Sequence, residues 1–102
     1  MDRIAKLKEF LAANPDDSFA QHALALEHVK AGDDAEARKL FENILNKDEN
    51  YIGSYYHLGK LLERNDERES AIRWYELGML KAKENGDVHA YNELRAALDD
   101  LM

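Results

Sequence analysis

Residues of matching type recur at an interval of 34 positions through the middle of this 102-residue chain. The matched pairs are Leu24 with Leu58, Ala25 with Gly59, Ala37 with Ala71, and Phe41 with Tyr75. Self-similarity at a fixed period of this length is typical of proteins built from stacked copies of one supersecondary unit. The period therefore predicts a repeat fold, in which each copy buries its apolar face against a neighbouring copy.

The repeated unit is helical, because its apolar residues recur every three or four positions, as in Ala37, Phe41 and Ile44. The sequence holds only one Pro and five Gly, which also favours helix. Breaks of a few polar residues divide the chain into six predicted helices, at 2–13, 16–31, 34–47, 51–64, 67–84 and 88–101. Connections this short place neighbouring helices antiparallel.

Capping residues mark several of these helix ends. Asn14 followed by Pro15 predicts the start of the second helix, with Asn at the N-cap and Pro at the first helical position. An Asp followed three residues later by Glu predicts two further starts, at Asp33-x-x-Glu36 and Asp66-x-x-Glu69. Gly86 is expected in the left-handed conformation that ends a helix.

Two copies of one motif can be written out from these helices. They read Gln21-x2-Leu24-Ala25-x2-His28 then Ala37-x3-Phe41, and Tyr55-x2-Leu58-Gly59-x2-Leu62 then Ala71-x3-Tyr75. Both resemble the tetratricopeptide repeat family, whose pattern is W-x2-L-G-x2-Y followed by A-x3-F and Pro. The chain departs from that pattern at Gln21, where an aromatic is expected, at Gly78, where Ala is usual, and at Glu49 and Lys83, where Pro would close each repeat.

The resemblance implies an all-α solenoid of antiparallel helix pairs that forms a single domain over residues 1–102. Its parts would be an N-terminal helix at 2–13, repeats at 18–51 and 52–85, and a capping helix at 88–101. Small residues are needed where paired helices cross at about 8–10 Å, and Ala25, Gly59, Ala37 and Ala71 are expected there. Leu24, Leu58, Phe41 and Tyr75 would fill the space between pairs, with Tyr55 at the aromatic position of the second copy. In the last helix Arg95 stands where the motif has a small residue, which fits a capping helix with no helix packed after it.

Charge and composition exclude several classes of partner. The net charge is −7 and no run of Lys or Arg occurs, which argues against nucleic acid. No window approaches the roughly 18 consecutive apolar residues of a membrane span, and charges interrupt the first eight residues. We therefore expect a cytoplasmic protein that binds neither nucleic acid nor membrane.

The sequence offers little for catalysis or for a metal. It has four His, three Ser and no Cys, and it lacks every common nucleophile, phosphate-binding and zinc motif. His22 and His28 are six positions apart and lie on different helix faces, whereas a ligand pair on a helix needs a spacing of three or four. We expect no enzyme activity, metal or cofactor, and we place His28 in the core.

A protein partner remains the strongest expectation. In the resembled family the first helix of each pair lines a concave groove, and residues on the side opposite the packing stripe point into it. The residues predicted to line this groove are Phe19, His22, Leu26, Tyr56, His57, Lys60, Arg64, His89 and Asn92. We therefore predict a protein–protein interaction module that binds a peptide or helix of a partner.

Two alternatives qualify that prediction. Phe19 and Leu26 could instead be covered by a neighbouring helix of the same chain. They could also be covered by a second copy, which would make the chain a self-associating homodimer.

Family members that clamp the acidic C-terminus of chaperones carry Lys-x3-Asn, Asn and Lys-x3-Arg on their lining helices. Here the matching places read His22-x3-Leu26, His57 and His89-x3-Glu93, so a partner ending in carboxylates is not expected.

Overall fold

The computed structural model describes residues 2–102, and over that range the chain forms six α-helices and no strand. They are α1 (Arg3–Ala13), α2 (Ser18–Lys30), α3 (Asp34–Lys47), α4 (Gly53–Arg64), α5 (Arg68–Glu84) and α6 (Val88–Leu101). Each end lies within two residues of its predicted position, so the all-α class of helical hairpins is confirmed. The chain divides into two compact units: unit 1 ends at Lys47 and contains α1 to α3, and unit 2 runs from Asp48 to Met102 and contains α4 to α6.

The start of α2 differs from its prediction. Asn14 ends α1 instead of opening α2, because its backbone N–H and its side-chain amide both donate to the Phe10 carbonyl, at 3.0 and 3.1 Å. The N-cap of α2 is Asp17, whose carboxylate accepts the Ala20 N–H at 2.9 Å. Pro15 therefore lies in the turn and is not the first helical residue.

Three helix ends share one left-handed turn. Gly32, Asp66 and Gly86 have φ angles of 81°, 62° and 69°. In each turn the following N–H reaches back over the last helical turn to a carbonyl at 2.8 Å. The donor and acceptor pairs are Asp33 with His28, Glu67 with Leu62, and Asp87 with Ala82. Because a left-handed residue closes a helix this way most easily when it is Gly, Asp66 is the strained member of the set.

This turn decides which capping predictions hold. The Asp33 carboxylate accepts the Glu36 N–H at 3.3 Å, so a cap at the start of α3 is confirmed. The box predicted at Asp66 and Glu69 is wrong, because Asp66 occupies the left-handed position and Glu67 takes the N-cap without a side-chain bond.

In unit 1 the core lies between α2 and α3. Ala25, Ala37, Phe41 and Ile44 are fully buried there. His28 is only 6% exposed, which confirms its expected place in the core. α1 has no buried residue, and Phe10 is 47% exposed, because this helix packs on α2 along one side only.

In unit 2 two glycines set how closely the helices approach. A Cβ atom built on Gly59 of α4 would lie 2.1 Å from Cε1 of Tyr75 on α5. One built on Gly78 of α5 would lie 2.6 Å from Cβ of Tyr55 and 3.0 Å from a Leu94 methyl of α6. Both tyrosines are fully buried, so glycine lets the backbone approach the rings directly. α5 is three residues longer than α3.

Candidate functional site

An aromatic and cationic cluster lies on the solvent side of α4 in unit 2. The rings of Tyr56 and His57 meet edge to face, with centroids 5.6 Å apart and an angle of 86°. One turn further on, the Lys60 ammonium lies 5.9 Å from the centroid of the Tyr56 ring, within cation–π range. All three side chains are half-buried. We call Tyr56, His57 and Lys60 the Tyr56 cluster.

The Tyr56 cluster is tied to the core through Glu63. The Glu63 carboxylate accepts a hydrogen bond from the buried Tyr75 hydroxyl and lies 3.6 Å from the Lys60 ammonium. Burial, together with this bond and the carboxylate charge, raises the pKa of Tyr75 well above its usual range, so the phenol stays protonated and acts as the donor. The ammonium is thereby held beside the Tyr56 ring by a carboxylate that is itself anchored.

His57 lies in a more apolar setting than an exposed histidine. Burial lowers its pKa from the ordinary value of 6.5, and the negative charge of Glu93 on α6 partly opposes that shift. The imidazole is therefore mostly neutral at pH 7, with one nitrogen as donor and the other as acceptor.

α6 supplies the remaining predicted lining residues of unit 2. The helices α4 and α6 pack against each other, and α6 carries His89 and Asn92 as exposed side chains. Its N-terminus is fixed by Asp87, whose carboxylate accepts the Ala90 N–H at 3.0 Å. Arg64, at the end of α4, is also exposed.

The other three predicted lining residues lie on α2 in unit 1. Phe19 is 75% exposed, so no helix of residues 2–102 covers it. The His22 ring meets the ring of buried Phe41 edge on, with centroids 5.5 Å apart. Leu26 is half-buried. The predicted residues thus fall into two sets, one in each unit.

Sequence reasoning missed Glu63 as a member of the site. Its only signal was the spacing of three residues from Lys60, and its bond to Tyr75 depends on tertiary packing that this spacing does not reveal. Two shallow pockets were also not anticipated. One of about 290 Å³ is lined by Ala82, Lys83, Gly86, Asp87, Val88 and Tyr91, and one of about 490 Å³ by Lys6, Glu9, Phe10, Ala13 and Asn14.

Within residues 2–102 no three His, Asp or Glu side chains are grouped closely enough to hold a metal ion. Across the same stretch, none of the helices has the length and apolar character needed to span a membrane.

Comparisons with known proteins agree on one family. The tetratricopeptide repeat family model matches residues 1–102. A tetratricopeptide repeat domain protein of Salinibacter ruber is 41% identical; its solution structure has a TM-score of 0.82 and covers 85% of this chain and 88% of its own. A crystal structure of a Salinibacter ruber tetratricopeptide repeat domain protein, also 41% identical, has a TM-score of 0.80 and covers 83% and 94%.

A protein of Bordetella parapertussis shares the fold at lower identity. Its solution structure has a TM-score of 0.86 at 24% identity and covers 99% of this chain and 88% of its own. No curated protein matches the chain.

Proposed function

Because this chain belongs to the tetratricopeptide repeat family, we propose that it binds a segment of another protein through the face of unit 2 formed by α4 and α6. Members of the family are in general protein–protein interaction modules built on a non-catalytic repeat scaffold. We further propose that the chain has no catalytic activity of its own. We also propose that residues 1–102, with the helix 2–13, repeats 18–51 and 52–85 and the capping helix 88–101, form a single domain.

The Tyr56 cluster carries this proposal. Tyr, Trp and Arg are the residues most often found to dominate binding energy at interfaces, and Tyr56 presents a ring that a partner side chain can cover. The ring contacts both the His57 ring and the Lys60 ammonium. A side chain already held in place loses less conformational freedom on binding, so more of the contact energy contributes to affinity.

The polar residues around the cluster suggest how a partner would be oriented. Lys60 and Arg64 would meet carboxylate or carbonyl oxygens, while the Asn92 amide can both donate to and accept from a peptide backbone. His57, neutral at pH 7, would add one donor or acceptor. Two helices offer a small contact area, and interfaces well below about 1,200 Å² in total tend to be transient, so we expect weak, reversible binding.

Affinity capture from source-cell lysate tests the proposal. The wild-type chain is compared with Tyr56→Ala/Lys60→Glu, which removes the ring and reverses the charge. The control variant is Arg73→Glu/Leu80→Ala, which makes the same kind of change on the outward side of α5, where both side chains are exposed. All three proteins are first matched for helicity and thermal midpoint.

The expected result is a protein retained by wild type and by the α5 control but lost by the α4 variant. If the α4 variant retains the same proteins as wild type, the Tyr56 cluster is not the binding surface and the proposal fails.

A further inference from the structure

The pocket of about 290 Å³ described above lies within unit 2, where α5 ends and α6 begins. Its lining residues are Ala82, Lys83, Gly86, Asp87, Val88 and Tyr91. Ala82 is fully buried, Tyr91 is half-buried and the other four residues are exposed. The pocket shares no lining residue with the Tyr56 cluster or with the other residues proposed to bind a partner on α4 and α6. We call it the α5–α6 pocket.

The α5–α6 pocket is open to solvent over the part of the chain that the structure describes. Val88 is 69% exposed although its side chain is apolar. A Cβ atom built on Gly86 would meet no atom within 4 Å beyond its chain neighbours. The Tyr91 ring is half-buried, whereas the ring of Tyr55, at the same motif position of α4, is fully buried. An apolar group that enters the pocket therefore covers apolar surface that the chain itself leaves in water.

Lys83 is the only cation among the lining residues, and its ammonium pairs with no carboxylate of residues 2–102. The two acidic residues nearest to it in the sequence have other partners. Glu84 lies 3.4 Å from the Lys81 ammonium, and the Asp87 carboxylate accepts the Ala90 N–H at 3.0 Å. Lys83 can therefore take a carboxylate from outside the chain without giving up an ion pair of its own.

Tyr91 adds a second polar group to the α5–α6 pocket. The side chains at the same motif position of α2 and α4, Gln21 and Tyr55, both donate to a backbone carbonyl. The Tyr91 hydroxyl has no hydrogen-bond partner among residues 2–102. It is therefore available to donate to the backbone of a bound segment.

We propose that the α5–α6 pocket binds a segment of another protein in which an apolar side chain is followed by an acidic residue. The apolar side chain enters beside Val88 and Tyr91, and the carboxylate pairs with the Lys83 ammonium. A peptide is favoured over a small molecule, because small-molecule sites usually bury about 70–90% of their ligand and measure about 300–1,000 Å³. The α5–α6 pocket is smaller than that range, and four of its six lining residues are exposed.

An NMR titration of the isotope-labelled full chain tests this inference. The probes are the peptides acetyl-Gly-Leu-Asp-Gly-amide and acetyl-Gly-Leu-Asn-Gly-amide, which differ only in the charge. We expect both to shift the amide signals of Gly86, Val88 and Tyr91, with dissociation constants on the order of 1 mM. Because an exposed ion pair adds little, the acidic peptide is expected to bind about two- to fivefold more tightly than the neutral one.

Two variants separate the charge from the apolar contact. Lys83→Gln is expected to bind the two peptides equally, because it lacks the cation that distinguishes them. Lys8→Gln is the matched control, since it removes an exposed lysine of α1 and should keep the preference for the acidic peptide. Val88→Asp is expected to bind neither peptide. Val88 is exposed and is the first residue of α6, where an acidic side chain is tolerated, so this variant is expected to stay folded.

Three outcomes count against the inference. Unchanged amide signals at about 10 mM peptide overturn it, as does a Val88→Asp protein that binds both peptides like wild type. A Lys83→Gln protein that still prefers the acidic peptide overturns the pairing of the carboxylate with Lys83.

The α5–α6 pocket does not depend on the Tyr56 cluster. Tyr56→Ala/Lys60→Glu is expected to bind both peptides as wild type does, so loss of partner capture and loss of peptide binding are separate outcomes.

Discussion

The helix pair α2–α3 and the helix pair α4–α5 build the same motif with different side chains. Gln21 and Tyr55 occupy one motif position, and each donates to the carbonyl of the residue six positions earlier. The Gln21 amide reaches Pro15 at 2.7 Å and the Tyr55 hydroxyl reaches Glu49 at 2.5 Å. The position therefore requires a buried side chain with a donor at its end, and an aromatic ring is only one way to supply it.

The two helix pairs also differ in the size of the side chains at this position and at the position that faces it. Tyr55 lies directly on Gly78. In the helix pair α2–α3 the smaller Gln21 stands at the position of Tyr55, and Ile44 stands at the position of Gly78. Asn43 of α3 also donates to the Gln21 side-chain oxygen at 3.3 Å, which satisfies the polar group that the ring lacks. The comparison teaches that the two helix pairs divide side-chain volume differently between the facing helices.

Replacing Tyr55 and Gly78 by the residues of the other helix pair is expected to have the largest effect on stability. Tyr55→Gln leaves a cavity and Gly78→Ile overfills the same space, so each alone is expected to lower the free energy of unfolding by about 3 kcal/mol. Tyr55→Gln/Gly78→Ile recreates the pairing of unit 1 and should recover at least about 1 kcal/mol of the summed loss. Urea unfolding followed by circular dichroism measures all three. Strict additivity of the two single losses would show that the positions are not coupled.

The two helix pairs also differ in a hydroxyl at the motif position that Phe41 and Tyr75 share. Tyr75 donates to Glu63, while Phe41 has no hydroxyl and Val29 stands at the position equivalent to Glu63. We expect Phe41→Tyr to cost about 1–3 kcal/mol, because its hydroxyl would be buried without an acceptor, and Tyr75→Phe to cost about 1–2 kcal/mol. Adding Val29→Glu to Phe41→Tyr should recover part of the first loss. Thermal melts of the variants provide the measurement, and a Phe41→Tyr protein as stable as wild type would contradict the argument.

Substitutions at the left-handed turns are expected to change the free energy of unfolding in opposite directions. Gly32→Ala and Gly86→Ala are expected to lower the free energy of unfolding by about 1 kcal/mol each, because a side chain is strained at positive φ. At the equivalent place in unit 2, Asp66→Gly should raise it by about 0.5–1 kcal/mol. Equal thermal midpoints for wild type and Asp66→Gly would show that the aspartate is not strained there.

The smallest expected effect is a pH dependence of unit 2. Burial lowers the pKa of His57, so between that value and 6.5 the unfolded chain binds more protons than the folded chain. Stability is therefore lost as the pH falls through 6.5. Relative to wild type, His57→Gln should flatten the fall in thermal midpoint between pH 7 and pH 5, whereas Glu93→Gln should steepen it by removing the charge that opposes the shift. Identical profiles for wild type and His57→Gln would rule out this contribution.

The sequence was sufficient for the number and type of the helices, because the 34-residue period covers the two repeats and the apolar spacing continues into the flanking helices. It failed at Asn14 and Asp66, where one residue can serve either of two local roles. Asn14 can open a helix or close one, and its bonds to Phe10 decide the second. Asp66 can cap a helix or adopt positive φ, and the turn that joins α4 to α5 demands the latter.

The candidate site was predicted less completely than the fold. The family resemblance, combined with helical spacing, predicted Tyr56, His57 and Lys60 as lining residues on one side of α4. The contribution of Glu63 could not be anticipated, since it depends on a hydroxyl that α5 brings to it.

Trp74 is the single tryptophan of the sequence, and its ring lies 6.1 Å from that of Tyr55, within unit 2. Intrinsic fluorescence excited at the indole therefore reports on unit 2 alone, whereas circular dichroism sums the helices of both units. Unfolding curves that coincide for the two signals would mean that the units melt as one cooperative body. Curves that separate would assign each transition to its unit without any label being attached.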